Sequence, residues 1–226
     1  MNKKILVVAA HPDDEVLGCG GTIARHTDSG DEVHILILAD GVSSRNTKHF
    51  KKDLDSRLQS TYAACKCLNT QSPIFQGLPD NRMDTIALLD IVQPIERVIE
   101  KIKPSIIYTH HNSDLNIDHQ LTHQSVITAC RPQVAFIIQE IYCFEILSST
   151  EWVAPSSKNQ FIPNHFVDIS NTFNRKIEAL DEYSMEMREY PHSRSIKSVE
   201  ALAIHRGTSM GMKYAEAFVT ERTLVR

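Results

Sequence analysis

Several features that mark specialised classes of protein are missing from this sequence. No stretch approaches the roughly 20 consecutive apolar residues that cross a bilayer, so no transmembrane segment is expected. The net charge is −4 and no long basic run occurs, which argues against nucleic acid as a partner. No Gly-x-Gly-x-x-Gly follows a predicted strand, so a dinucleotide cofactor is not expected.

Disulfide bonds are not expected either. The cysteines are odd in number and scattered through predicted helices and strands: Cys19, Cys65, Cys67, Cys130 and Cys143. This pattern indicates reduced thiols in a cytoplasm. The Cys65-Lys66-Cys67 pair lacks a second pair, so we interpret it as helix packing. The first apolar run is too short for a signal peptide, which also favours a cytoplasmic location.

What is present is the pattern of an ordinary globular protein, with 42% hydrophobic and 23% charged residues. The predicted strands are residues 4–9, 33–38, 72–75, 105–110, 137–144 and 166–169, with an edge strand near 214–218. The predicted helices are one that starts behind Glu15 and residues 50–68, 86–102, 118–130, 170–189 and 195–212. The alternation predicts a single α/β domain over residues 1–226, with a Rossmann-like, mostly parallel sheet and helices on both faces.

The most informative stretch is Ala-His-Pro-Asp-Asp-Glu at residues 10–15, where a buried strand ends and a helix begins. A catalytic zinc ion often takes two histidines and one carboxylate, and His11 and Asp14 supply two of these three ligands. Asp13 is then free to take a proton from a water activated by the metal. The alternative is a solvated turn in which Asp13 or Asp14 caps the helix. The His-Pro before it and the Gly-rich helix after it favour a functional site.

A second informative stretch, residues 111–123, follows the strand predicted at 105–110. A helix is expected to begin near Asp118, a good N-cap residue. His119 lies in its first turn and is the preferred third metal ligand. His123 is four residues on and shares a helix face with His119, so a His-x-x-x-His zinc pair is an alternative.

Residues 10–15, followed by Gly-Cys-Gly-Gly-Thr at 18–22, resemble the signature of the PIG-L/LmbE family of zinc-dependent de-N-acetylases. These enzymes remove acetyl groups from N-acetylglucosamine-type sugars. The resemblance covers most of the chain and is strongest at residues 5–24 and 105–132. It implies a zinc-dependent deacetylase whose substrate is an N-acetylated sugar or glycoconjugate.

The resemblance also assigns residues near the metal. The family motif His-x-Asp/Asn-His ends on a metal-binding histidine, which maps onto His119. Its first histidine, which stabilises the tetrahedral intermediate in many relatives, maps onto Asn116 here. Either Asn116 does a weaker version of this task, or another histidine has taken it. His192 is our choice, because relatives with Asn-x-Asp-His tend to carry the Pro-His-x-Arg-Ser pattern seen at residues 191–195.

Besides Asn116, four further places are candidates for contact with the sugar or for the border of its site. Arg57 lies in a helix from which the family's arginine reaches the substrate, although a solvated helix charge is as plausible. Asp80 lies in a polar loop after a strand and suits sugar hydroxyls, although a turn explains it too. The loop at Asp40 and Gly41 either borders the site or forms an Asx turn. Trp152 either stacks on a sugar or closes the core.

The predicted mechanism has His11, Asp14 and His119 holding Zn²⁺, although Fe²⁺ or Co²⁺ suits the same ligands. Asp13 is the general base, and His192 or Asn116 holds the oxyanion.

Two alternatives are a metal-dependent amidase acting on another sugar conjugate and a catalytically silent sugar-binding protein of the same fold. A catalytically silent protein is expected to lack a metal ligand or the general base, and this sequence retains both. The sequence leaves a monomer and a homo-oligomer open.

Overall fold

A seven-stranded sheet runs through the centre of the computed structural model, which describes residues 2–132, 137–154 and 160–225. Its strands are β1 (Lys4–Ala9), β2 (Glu32–Ala39), β3 (Ile74–Leu78), β4 (Ile106–His110), β5 (Glu140–Phe144), β6 (His165–Asp168) and β7 (Ala215–Thr223). The helices are α1 (Asp14–Asp28), α2 (Phe50–Cys67), α3 (Leu88–Ile102), α4 (Ile117–Ala129), α5 (Phe173–Asp181) and α6 (Ile196–Thr208). None of these helices is long and apolar enough to cross a membrane.

The strand order is β3-β2-β1-β4-β5-β7-β6. Strands β1 to β5 are parallel to one another, and β7 is antiparallel to both β5 and β6. The chain builds outward from β1 through β2 to β3, then crosses back to place β4 on the other side of β1. This makes the carboxyl ends of β1 and β4 a switch point, where the following loops diverge and leave a crevice. The predicted α/β class with a mostly parallel sheet is confirmed.

The core lies in two layers, one on each face of the sheet. Alternation along β1 sends Ile5 and Val7 to one face and Leu6 and Val8 to the other. Apolar residues of α1, α2, α5 and α6 cover the first face, and those of α3 and α4 cover the second. Because both faces are covered, β1 is apolar throughout its buried length, as the sequence predicted.

Two predictions about the C-terminal third are wrong. The helix predicted at 170–189 spans only Phe173–Asp181, and residues 182–186 form turns. The apolar spacing continues through Tyr183 and Met187, so it does not mark the end of the helix. The edge strand predicted near 214–218 corresponds to β7, which lies between β5 and β6, and β6 forms the edge of the sheet. The polar residues in the second half of β7 resemble an edge pattern, although β7 pairs on both sides.

A buried ion pair supports the helix that follows β1. Helix α1 is kinked at Cys19, where φ is −149° and ψ is 24°, so Gly21 N–H cannot reach the Leu17 carbonyl. Gly21 N–H donates instead to Glu216 Oε1 at 2.9 Å, and Lys176 Nζ donates to the Leu17 carbonyl at 2.8 Å. Lys176 and Glu216 are themselves joined at 2.6 Å. The pair therefore replaces the broken helical bond and fastens α1 to α5 and β7.

Replacing Glu216 with alanine is expected to lower the free energy of unfolding by about 3–5 kcal/mol, because it leaves the Lys176 ammonium buried without its partner. Urea denaturation followed by circular dichroism measures the loss. The matched control is Glu96→Ala, which removes an exposed pair with Arg131 at 3.4 Å and is expected to cost less than about 1 kcal/mol. Equal losses in the two variants would contradict the role given to Glu216.

Candidate active site

Three side chains converge at the switch point and form a nearly equilateral triangle of donor atoms. His11 Nδ1 lies 3.2 Å from Asp14 Oδ2 and 3.3 Å from His119 Nε2, and the third side, Asp14 Oδ2 to His119 Nε2, is 3.3 Å. Zinc binds nitrogen and oxygen ligands at about 2.0–2.1 Å, and tetrahedral geometry then separates the ligands by about 3.3 Å. The triangle has the dimensions of three ligands of one ion.

Two further observations fit a divalent cation at this position. Asp14 Oδ1 is buried and has no hydrogen-bond partner among the described residues. A buried carboxylate oxygen without a partner is costly unless a cation or donor satisfies it. The donor set of two histidines and one carboxylate is also that of many catalytic zinc sites. The residues present therefore fit the ion that the sequence predicted.

Carboxylates behind the histidines fix which ring nitrogen faces the triangle. His11 Nε2 contacts Asp118 Oδ2 at 3.0 Å and Asp80 Oδ1 at 3.1 Å, and His119 Nδ1 contacts Asp114 Oδ1 at 3.1 Å. A metal-binding histidine usually donates its second N–H to such a carboxylate. The sequence analysis did not identify Asp118 or Asp114 as partners, although Asp118 lies inside the Asn-x-Asp-His motif.

The start of α4 explains why Asp118 is free for this task. The prediction that Asp118 caps the helix is wrong, because Asn116 is the N-cap and its side chain accepts from Asp118 N–H at 2.8 Å. The Asp118 carboxylate accepts instead from the backbone N–H groups of Asn81 at 2.7 Å and Met83 at 3.0 Å. It therefore ties the loop after β3 to the His11 ring.

The electrostatics of the cluster favour positive charge. Burial lowers the pKa of His11, but hydrogen bonds with Asp118, Asp14 and Asp80 outweigh it and raise the pKa well above its usual value. Burial likewise lowers the pKa of His119, but the charges of Asp14 and Asp114 raise it to about 9. Burial raises the pKa of Asp14, yet the neighbouring His119 and His110 hold it well below its usual value. This is the setting a divalent cation requires.

Asp13 stands beside the triangle in an unusual backbone conformation. Its φ of 105° lies in the left-handed region, and Glu15 Oε2 accepts its N–H at 3.0 Å. Tyr183 in turn donates its hydroxyl to Glu15 Oε1 at 2.6 Å. Burial raises the pKa of Asp13, and the guanidinium groups of Arg194 and Arg57 oppose that rise without cancelling it. Asp13 therefore has fixed surroundings and makes no contact within the triangle.

A cleft of about 190 Å³ opens over these residues. Its lining is almost wholly polar: His11, Asp13, Asp14, Gly41, Ser44, Arg45, Arg57, Asp80, Asn81, Asn116, His119, Ser148, Ser149, Glu186 and Arg194. The predicted substrate residues Arg57, Asp80 and Asn116 all line it. In the loop after β2, Gly41 also borders the cleft, whereas Asp40 accepts from the backbone of residues 42 and 43 in an Asx turn.

Paired charges form the far wall of the cleft, and the sequence did not predict this wall. Arg45 binds Glu186 through two contacts of 2.9 Å, and Arg57 Nη1 lies 3.0 Å from Glu186 Oε1. Arg57 Nη1 also lies 3.6 Å from Asp13 Oδ2. No sequence signal marks Arg45 or Glu186, because both lie in irregular segments that only tertiary packing brings together.

The placement of His192 corrects a prediction. The loop at residues 190–195 does reach the cleft, but it brings Arg194, whose Nη1 donates to Asp13 Oδ2 at 3.1 Å. His192 is exposed and does not line the cleft. Its Nδ1 accepts from Arg194 N–H at 3.0 Å, and its ring lies 5.9 Å from that of Trp152, which is itself half-exposed. The local turn holds the imidazole outside, while the longer arginine side chain extends inward.

The structure also separates the two histidines of α4. His119 joins the triangle, whereas His123 Nε2 contacts Glu221 Oε1 at 3.2 Å. The two rings are thus directed to different partners, and the His-x-x-x-His arrangement considered from the sequence does not form.

Comparisons with known proteins relate this chain to one family. Residues 6–130 match the family model described as "PIG-L: GlcNAc-PI de-N-acetylase". The uncharacterized deacetylase YaiS of Escherichia coli K12 is 28% identical over 187 residues, which cover 80% of this chain and 90% of that protein.

Two solved structures share the fold. The N,N'-diacetylchitobiose deacetylase of Pyrococcus horikoshii superposes with a TM-score of 0.78 at 18% identity, covering 96% of this chain and 83% of that one. The 4-carboxy-2-hydroxymuconate hydratase of Pseudomonas putida KT2440 superposes with a TM-score of 0.78 at 23% identity, covering 99% of this chain and 98% of that one. Since the family model spans more than half of the chain and includes every residue of the triangle, this protein belongs to the PIG-L family.

Proposed function

We propose that this protein is a metal-dependent deacetylase that hydrolyses the acetamide of an N-acetylglucosamine-type sugar or glycoconjugate. The observation that carries the proposal is the triangle of His11, Asp14 and His119 beside the buried Asp13 carboxylate. Membership of a family described as de-N-acetylases supports amide hydrolysis. The fold alone does not choose the chemistry, because a hydratase shares it.

The cleft suits a neutral, hydroxyl-rich substrate. Drug-like ligands favour apolar pockets with few polar groups, whereas this lining is almost wholly polar. Arg45 is paired with Glu186 and Arg194 with Asp13, so the charges of these two arginines are already balanced. Arg57, Asp80 and Asn116 are proposed to hydrogen-bond the sugar.

The ion proposed for the triangle is Zn²⁺, which suits its donor set and size; Fe²⁺ and Co²⁺ are the alternatives that metal substitution distinguishes. A divalent ion there supplies Lewis acidity, which polarises the acetamide carbonyl and lowers the pKa of water. The five free cysteines support a reducing cytoplasm as the working compartment.

The residues of the chain divide the remaining work. Asp13 accepts a proton from the water that adds to the acetamide carbonyl, then returns it to the nitrogen as the C–N bond breaks. The products are acetate and the free sugar amine. Arg194 orients the Asp13 carboxylate through their 3.1 Å contact. Asn116 donates one amide N–H to Asn81 and keeps the second for the developing oxyanion.

The proposal predicts metal-dependent release of acetate and amine in equal amounts from N-acetylated sugars. Chelation should abolish release, and zinc should restore it. Asp13→Asn should keep the wild-type metal content but lose about 10²–10⁴ in turnover, because the amide cannot accept the proton. Acetate and primary amine are assayed in parallel across free, nucleotide-linked and lipid-linked N-acetylglucosamine.

Three outcomes separate this proposal from its alternatives. Release of an acyl group other than acetate identifies an amidase, and hydration of an unsaturated acid identifies a hydratase-like relative. Sugar binding without any turnover identifies a silent binding protein. Loss of metal in Asp13→Asn makes Asp13 a ligand and contradicts its role as base.

A second prediction concerns Arg194. Its positive charge stabilises the ionised form of Asp13, so Arg194→Gln should raise the pKa of that carboxyl. Since the base must be ionised to work, the acidic limb of the profile of kcat/KM against pH should move to higher pH than in the wild type. Steady-state kinetics over the pH range of stability measure this displacement.

His192→Ala is the matched control from the same loop. Because His192 lies outside the cleft, the acidic limb of the kcat/KM profile of this variant should coincide with that of the wild type. An unmoved limb in Arg194→Gln would contradict the role given to Arg194. A loss of turnover in His192→Ala would return the stabilisation of the oxyanion to His192, as the sequence first indicated.

A further inference from the structure

A second group of metal-binding side chains lies outside the cleft. His123 on α4, Cys143 on β5 and Glu221 on β7 each place one nitrogen, sulfur or oxygen atom within 4.8 Å of the other two. His123 Nε2 and Glu221 Oε1 are 3.2 Å apart. None of the three belongs to the triangle or lines the cleft, so the group is separate from the site already described.

The sheet itself brings Glu221 to this position. Strand β7 pairs with β5 so that Ile141 faces Arg222, but the next residue, Tyr142, faces Thr220. Glu221 is therefore the extra residue of a β-bulge, and bulges change the direction in which a side chain points. The irregularity accompanies the placement of the Glu221 carboxylate beside the buried Cys143 thiol.

The chemistry of the three donors suits a zinc-type ion. Imidazole nitrogen, thiolate sulfur and carboxylate oxygen are the ligands that zinc takes in proteins, and a fourth position would be left to water. The side chains of His123 and Glu221 are 12% and 30% exposed, so an ion can enter from solvent. Cys143 is fully buried and lies at the inner end of the group.

An ion bound here must displace the proton of the Cys143 thiol. Burial and the neighbouring Glu221 carboxylate raise the pKa of Cys143 well above its usual value, so the thiol holds its proton near neutral pH. A divalent cation would form a bond to sulfur and release that proton to solvent. The positive charge would then offset both the thiolate and the carboxylate.

From these contacts we propose that His123, Cys143 and Glu221 form a second, zinc-type cation site that joins α4 to strands β5 and β7. The competing explanation is a surface His–Glu pair next to an inert core cysteine. The chain contains such a pair in His34 and Glu32, whose Nε2 and Oε1 atoms are 2.8 Å apart. That pair belongs to no three-ligand group among the described residues.

Cobalt titration of metal-free protein under reducing, oxygen-free conditions tests the proposal. The triangle has no sulfur ligand, so a thiolate-to-Co²⁺ charge-transfer absorption reports the second site alone. The proposal predicts two Co²⁺ ions per chain and this absorption. Cys143→Ser should abolish the absorption and leave one ion per chain. His123→Ala, a change near the surface, should lose the same ion if Cys143→Ser fails to fold.

Two control variants complete the experiment. Cys130→Ser replaces another buried thiol, and His34→Ala breaks the other His–Glu pair, so both should keep two ions and the full absorption. A single Co²⁺ ion per wild-type chain without thiolate absorption would overturn the proposal. So would absorption that survives in His123→Ala but disappears in Cys130→Ser.

Discussion

The account depends on negative charge concentrated in one buried cluster. Asp14, Asp114 and Asp118 surround the rings of His11 and His119, all within the protein interior. Buried carboxylates are stable only when paired with positive charge or with hydrogen-bond donors. The two rings satisfy part of that need, yet Asp14 Oδ1 has no partner among the described residues. A divalent cation held by the three donor atoms would complete the balance of charge.

The fold supplies this cluster through its topology more than through any single helix. The switch point between β1 and β4 brings together two loops that are about a hundred residues apart in the chain. The same junction sets Asp13 in a left-handed conformation, which Glu15 and Tyr183 stabilise from behind. Two of the proposed metal ligands, His11 and Asp14, and the proposed base Asp13 therefore come from one turn, although their side chains have different neighbours.

The sequence predicted what depends on local pattern. The apolar run of β1 was recognisable from its pattern. The acidic turn after it and His119 were recognisable from their places after predicted strands and from the resemblance to the PIG-L/LmbE family. Contacts made by long side chains across the cleft were not recognisable from the sequence, because only packing brings Arg45 and Glu186 together. His192 and Arg194 lie two residues apart in one loop, and only the direction of the turn decides which of them enters the cleft.

The central claim is that one ion is held by two imidazoles and one carboxylate at the switch point. Zinc-edge X-ray absorption on a Cys143→Ser variant loaded with one ion per chain tests it most directly. The account predicts nitrogen and oxygen neighbours at about 2.0–2.1 Å with two imidazole rings. In the same background, His119→Ala should remove one imidazole and His123→Ala none. Loss of an imidazole in His123→Ala, with none lost in His119→Ala, would contradict the account.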